Sequence, residues 1–170
     1  YGALAGAGLV IEAATENLEL KLEILRQADA IADPAALLAS NTSSISITTL
    51  AAATARPDRF LGMHFFNPVP LMTLVELIRG LQTADATVAA GRAFAERLGK
   101  SPIVVRNSPG FVVNRILCPM INEAIFALQE GLATAADIDN GMKLGCNHPI
   151  GPLALADLIA GVEWLALQIA

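Results

Sequence analysis

The chain has 170 residues, 54% hydrophobic and 16% charged, with a formal net charge of -5. That composition supplies a core and excludes intrinsic disorder, while the acidic balance argues against broad nucleic-acid binding but leaves room for a local basic patch. Charges interrupt every apolar stretch, so no membrane span is expected; two cysteines without Cys-x-x-Cys spacing, Cys118 and Cys146, give neither a disulfide framework nor a zinc site and suit a reducing cytoplasm.

The sequence opens at Tyr1 and residues 1–8 have the character of neither a signal nor a transit peptide. Residues 164–170 still read as amphipathic helix with no stop signal, so an internal piece of a longer protein is expected. Residues 9–14 form a short apolar run that suits a strand buried on both faces. Residues 17–32 follow with Leu18, Leu22, Leu25, Ala28 and Ile31 at helical spacing, and Pro34 bars continuation. Residues 37–39 make a second strand and residues 45–55 a short helix, with Ser43 or Ser44 as a candidate N-cap. Residues 60–66 and 74–78 read as strands around Asn67-Pro68-Val69-Pro70, whose prolines remove backbone donors. A helix over 83–98 stops at Gly99, and residues 102–105 give a fifth strand.

This alternation means an α/β fold with a largely parallel sheet. The pattern changes after Asn107-Ser108-Pro109-Gly110: residues 111–129, 134–144 and 153 onward read only as helices. A boundary therefore falls between domains at 1–107 and 108–170. A nucleotide-binding α/β domain should open with a Gly-x-Gly-x-x-Gly turn at a helix N-terminus. Gly2, Gly6 and Gly8 have the wrong spacing and precede the first strand, so the dinucleotide loop is expected upstream, in two further strand–helix units of roughly 60 residues in all.

Three segments sit where strands would emerge into a cleft: Ser40-Asn41-Thr42-Ser43-Ser44, His64-Phe65-Phe66-Asn67-Pro68 and Leu74-Val75-Glu76. They offer a hydroxyl, an imidazole and a carboxylate, the parts needed to take the proton of an alcohol as its hydride leaves. Imidazole titrates near neutral pH, which makes His64 the candidate base; a core histidine packed beside two phenylalanines is the alternative. Glu76 lies among apolar neighbours, where a carboxylate needs a partner.

With Pro109-Gly110-Phe111-Val112-Val113-Asn114-Arg115, these segments resemble the 3-hydroxyacyl-CoA dehydrogenases. Met142-Lys143-Leu144-Gly145 and Asn147-His148-Pro149-Ile150-Gly151-Pro152 resemble the short bacterial 3-hydroxybutyryl-CoA branch. The resemblance runs from about Leu9 to about Leu158. It implies the C-terminal half of a Rossmann-like NAD-binding domain, followed by the start of an all-α domain that dimerises and closes over an acyl-CoA. The implied reaction oxidises the 3-hydroxyl of a short acyl-CoA, or the reverse. NAD is the implied cofactor, with NADP left open because the residues that read the ribose 2′ position lie upstream.

By resemblance His64 is the base, Glu76 orients it, and Ser43 and Asn114 hold the reacting oxygen. Ala13, Glu16, Lys21, Asn41 and Asn67 are implied at the cofactor. Helix capping for Ser43, a solvated helix start and face for Glu16 and Lys21, turn formation for Asn41 and Asn67, and an ordinary helix position for Asn114 are the alternatives that spacing leaves open. Arg115 reads as structural or surface-facing, and Cys118, Cys146 and Met120 as packing residues. His148, in a Pro-flanked turn, is given no catalytic role. Two positions depart from the family pattern: Thr73, where Lys is frequent, and the stretch after Asp157. A dehydrogenase of free hydroxy acids, which would use a lysine base, and a non-catalytic association module are the competing readings. Lys100 and Lys143 do not sit in the context a lysine base requires.

Overall fold

The computed structural model describes residues 2–160, and the ending expected as helix over 164–170 lies outside them. The chain divides into two compact units, Tyr1–Val112 and Val113–Ala170.

The first unit holds a five-stranded sheet: β1 (Leu9–Glu12), β2 (Leu37–Ser40), β3 (Phe60–Phe65), β4 (Leu74–Arg79) and β5 (Ser101–Arg106). Strand order follows chain order. β1, β2 and β3 run parallel, as do β4 and β5, whereas β3 and β4 are antiparallel. The sheet is thus mostly parallel, as the alternation of elements implies. The reversal arises because the Pro-rich stretch after Phe65 leaves no length for a helical crossover, so the chain turns back directly.

Helices α1 (Leu18–Ile31), α2 (Ile47–Ala51) and α3 (Asp85–Arg97) cover both faces. α1 and α2 bury Leu25, Ile47 and Leu50 against Leu38, Phe60 and Ile78. On the other face Leu61, Met63, Val75 and Leu77 pack with Ala95 of α3. Strand alternation divides the β3 side chains in this way. Phe60, Gly62 and His64 share one face, so the strand that is core at one end presents an imidazole at the other.

Several boundaries differ from expectation. α2 is shorter than 45–55, and its N-cap is Ser46, whose Oγ accepts from Thr49 N–H at 3.3 Å. Ser43 and Ser44 do not cap, because Thr42 Oγ1 opens an earlier turn by accepting from Ser44 and Ile45 N–H at 3.3 and 3.0 Å. Phe111 does not begin the next helix. It adopts φ +51° after Gly110 at φ +71°, and α4 starts at Val113.

The second unit contains α4 (Val113–Gln129), α5 (Ala135–Gly145) and α6 (Pro152–Ala160). Thr134 caps α5, and Asp139 accepts from Leu153 and Ala154 N–H at 2.8 and 3.0 Å at the start of α6. Arg115 is exposed. Cys118 and Met120 are half-buried, and burial pushes the Cys118 thiol up. Cys146 is not a packing residue: it is the exposed C-cap of α5. No helix among the described residues is long and apolar enough to cross a membrane.

Candidate active site

The site of the first unit forms at the carboxyl ends of β1, β2 and β3. His64 and Glu76 are cross-strand partners in the β3–β4 register. His64 Nδ1 lies 2.9 Å from Glu76 Oε2, with His64 5% and Glu76 0% exposed. With Glu76 accepting from Nδ1–H, the lone pair of the neutral ring lies on Nε2. Ser43 Oγ stands 3.1 Å from that Nε2. Both ring nitrogens of this buried histidine therefore meet polar groups.

The imidazole is boxed by aromatic rings. Phe66 lies at a centroid distance of 4.5 Å and Phe111 edge-on at 5.7 Å. The strained φ of Phe111 also brings Val112 N–H to Glu76 Oε1 at 3.0 Å. Both carboxylate oxygens of Glu76 are therefore engaged, and the carboxylate is held in one orientation.

Hydroxyl, imidazole and carboxylate in line also make the constellation of a serine nucleophile. That chemistry needs backbone amides beside the serine to stabilise an oxyanion. Here Ser43 and Ser44 N–H each donate to Glu16 Oε1 at 2.9 Å. With those amides consumed, no oxyanion donors are left at Ser43 N–H or Ser44 N–H.

A second polar cluster lies beneath the loops after β1 and β2. Lys21 is 0% exposed and donates to Glu12 Oε1 and Oε2 at 2.9 and 3.0 Å, to the Ala14 carbonyl at 3.0 Å and to the Asn41 carbonyl at 3.2 Å. Ser40 Oγ donates to Glu12 Oε2 at 2.6 Å. Lys21 is thus neither a solvated helix face nor exposed at the surface of the cleft; its charge ties two loop backbones together. Glu12 and Ser40 are absent from the sequence-derived set. The signal was available for Glu12: a carboxylate ending an apolar strand needs a buried partner, the reasoning applied to Glu76.

Glu16 is exposed, but its carboxylate reaches across to the 42–44 turn instead of standing free at the helix start. Burial pushes its carboxyl up, but hydrogen bonds from Thr42, Ser44 and Ser43 outweigh this and hold it below the usual range. Asn41 Oδ1 accepts from Phe65 N–H at 3.0 Å, bracing the start of the loop that follows His64. Ala13 and Asn67 are exposed, and the Asn67–Pro68 bond is cis. Asn114 belongs to the second unit, on the first turn of α4, 5% exposed, with Nδ2 lacking a hydrogen-bond partner among the described residues. His148 is half-buried in the second unit. The described residues contain no cluster of three or more His, Cys, Asp or Glu fit to hold a metal.

The family model for the 3-hydroxyacyl-CoA dehydrogenase NAD binding domain matches residues 1–108, and that for the C-terminal domain of the same enzymes matches residues 110–166. The chain belongs to the 3-hydroxyacyl-CoA dehydrogenase family. It is 58% identical over 156 residues to a 3-hydroxybutyryl-CoA dehydrogenase of Bradyrhizobium diazoefficiens, covering 92% of this chain and 53% of that protein. It is 47% identical over 151 residues to the mitochondrial hydroxyacyl-coenzyme A dehydrogenase of Sus scrofa, covering 89% of this chain and 48% of that protein. The crystal structure of an (S)-3-hydroxybutyryl-CoA dehydrogenase from Ralstonia eutropha superposes with a TM-score of 0.91 at 68% identity, over 93% of this chain and 56% of that one. The chain thus spans about half the length of the relatives it matches.

Proposed function

We propose that the protein carrying this sequence is an NAD-dependent dehydrogenase of short-chain 3-hydroxyacyl-CoA thioesters, acting on 3-hydroxybutyryl-CoA or, in reverse, acetoacetyl-CoA. The observation that carries the reading is the line Ser43 Oγ, His64 Nε2, His64 Nδ1, Glu76 Oε2, with contacts of 3.1 and 2.9 Å, in a chain of this family.

A substrate 3-hydroxyl set against Ser43 Oγ and His64 Nε2 loses its proton to Nε2 as the C3–H bond breaks and the carbonyl forms. NAD, when bound, accepts the hydride from C3. Glu76 stabilises the imidazolium that results and keeps Nε2 aimed at the oxygen. In the reverse direction Ser43 polarises the ketone and His64 returns the proton. Asn114 is assigned to the reacting group by family pattern, and its unpaired, buried amide nitrogen suits a donor awaiting an acceptor.

The residues fit a dinucleotide. Ligands of open α/β sheets bind at the carboxyl ends of the strands, and Ala13, exposed and small just past β1, leaves room there. Glu16, Asn41 and Asn67 flank the same end of the sheet, while Lys21 serves it from beneath through the Ala14 and Asn41 carbonyls. NADP is the alternative cofactor. We also assign homodimerisation to the helical part, whose Ile116, Phe126, Leu132, Leu144 and Leu158 are exposed apolar residues.

The test is NADH formation from 3-hydroxybutyryl-CoA by the full-length protein, beside His64→Gln. Turnover by the wild type, with a loss of about 10²- to 10⁴-fold in the variant and NAD affinity retained, is expected. Inactivity on the thioester with activity on a free hydroxy acid would overturn the substrate assignment, and an unimpaired variant would overturn the base.

A further inference from the structure

We infer that Glu16 is a positioning residue for Ser43: its carboxylate sets the conformation of the 42–44 turn and thereby the place of Ser43 Oγ against His64. This goes beyond the cofactor contact that family pattern gives Glu16, and it rests on the reading of Ser43 as the donor to the reacting oxygen.

One oxygen does the work. Glu16 Oε1 accepts from Thr42 Oγ1–H, from Ser43 N–H at 2.9 Å, from Ser44 N–H at 2.9 Å and from Ser44 Oγ–H at 2.9 Å. These donors belong to three successive residues 26 to 28 positions away in sequence, so nothing local accounts for their convergence. Two are backbone amides of a turn that has no ladder partner. Without the carboxylate Ser43 N–H is left to water and Ser44 N–H keeps only Thr42 Oγ1 at 3.3 Å, so the turn would relax. Ser43 Oγ itself is not among the donors, which leaves it for His64 Nε2. The carboxylate holds the backbone on both sides of Ser43 and spares the side chain.

Glu16 is itself anchored. It follows β1 directly before Asn17, the N-cap of α1, whose Oδ1 accepts from Leu20 N–H at 3.0 Å. Its other oxygen lies 3.9 Å from Lys21 Nζ, which also holds the Asn41 carbonyl. The buried Lys21–Glu12 pair thus fixes the base of the turn and Glu16 fixes its crest. A charged acceptor holding several donors confers the rigidity that a donor to a reacting oxygen requires, because a displacement of about 1 Å can cost about 100-fold in rate.

The test is a double-mutant cycle in the full-length enzyme, with Ser43→Ala, Glu16→Ala and the pair, reading kcat, KM for the thioester and NADH affinity. Glu16→Ala is expected to lower kcat by about 10- to 100-fold at saturating NAD and thioester, whatever its effect on NADH affinity, and to add nothing to the kcat loss once Ser43 is alanine. Glu16→Gln, which keeps a carbonyl acceptor, is expected to recover part of the loss; it replaces the alanine in the cycle should that variant fail to fold. Losses that multiply in the double variant, or a defect confined to NADH affinity, overturn the positioning role and leave Ser43 as donor. A Ser43→Ala enzyme at wild-type rate overturns the donor reading itself.

Discussion

His64 and Glu76 face each other directly across the antiparallel β3–β4 pair, so a ladder of backbone hydrogen bonds sets their 2.9 Å contact. Because side chains alternate along a strand, a register slip of one residue would turn either group to the opposite face. Glu76→Gln keeps the shape of the pair but removes the charge that, on the proposed mechanism, stabilises imidazolium. We expect kcat to fall by about 10²-fold or more with NADH affinity intact. Steady-state kinetics beside a fluorescence titration of NADH decide it; a variant of near-normal kcat would show that the carboxylate is not needed for the step.

Lys21→Met should be among the most damaging single changes distant from the base. It leaves the Glu12 carboxylate buried without its cation, at a cost of about 3–5 kcal/mol. Adding Glu12→Gln to that variant should restore part of the stability, because the stranded charge is then gone. Urea unfolding monitored by circular dichroism gives both values. Equal stability for Lys21→Met and wild type would mean that the pair is not held as described.

Gly62 lies two residues before His64 and directly across from Ile78. A Cβ there would come within 2.7 Å of Ile47 Cδ1 and 2.9 Å of Ile78 Cβ. Gly62→Ala is expected to destabilise by about 1–3 kcal/mol and to push α2 outward. Gly91→Ala meets chiefly the end of the Leu61 side chain, at 2.5 Å, and gains helix propensity, so its cost should be smaller. Thermal melts of the two variants check the order; Gly91→Ala proving the worse would contradict the packing at Gly62.

The acid limb of the 42–44 turn follows from Glu16. Its carboxyl is held below the ordinary value of 4.5, the hydrogen bonds outweighing burial. A depressed folded pKa means that the contribution to stability is complete above the unfolded value and is lost as pH falls through the lower folded one. The amide resonances of Ser43 and Ser44 should therefore stay constant on acidification to about pH 5 and shift with a midpoint below 4.5. A midpoint at or above 4.5 would refute the hydrogen-bonded carboxylate.

Much of this was legible in the residues. Apolar runs located the strands, since a sheet covered on both faces leaves few polar positions to blur the pattern. Glu76 stands out because a carboxylate among apolar neighbours needs a partner, and His64 because imidazole titrates near neutral pH. The N-cap of α2 is ambiguous in the residues: Thr42, Ser43, Ser44 and Ser46 all suit a cap, and only the long-range claims of Glu16 on Thr42 and Ser44 and of His64 on Ser43 leave the role to Ser46. Asn107, just past β5, adds to that choice, accepting from Ile47 N–H at 2.9 Å and donating to Ser46 Oγ at 3.1 Å. Phe111 was assigned to a helix because its neighbours have helical character, whereas its positive φ serves the carboxylate of Glu76. The Lys21 network escaped notice because helical periodicity does not distinguish a buried ammonium from a solvated one.

The reversal of direction between β3 and β4 also bears on how the site is assembled. The residues of the imidazole–carboxylate pair are 12 apart in the chain, whereas Ser40 and Glu12 are 28 apart. Closing the longer loop costs about 0.7 kcal/mol more in chain entropy by the logarithmic law. The His64–Glu76 pair thus resides in a hairpin, the least expensive kind of long-range order, and the loops beside it depend on crossovers that close over longer stretches of chain. Damage to the crossovers should therefore disorder the aim of the site before it dismantles the pair.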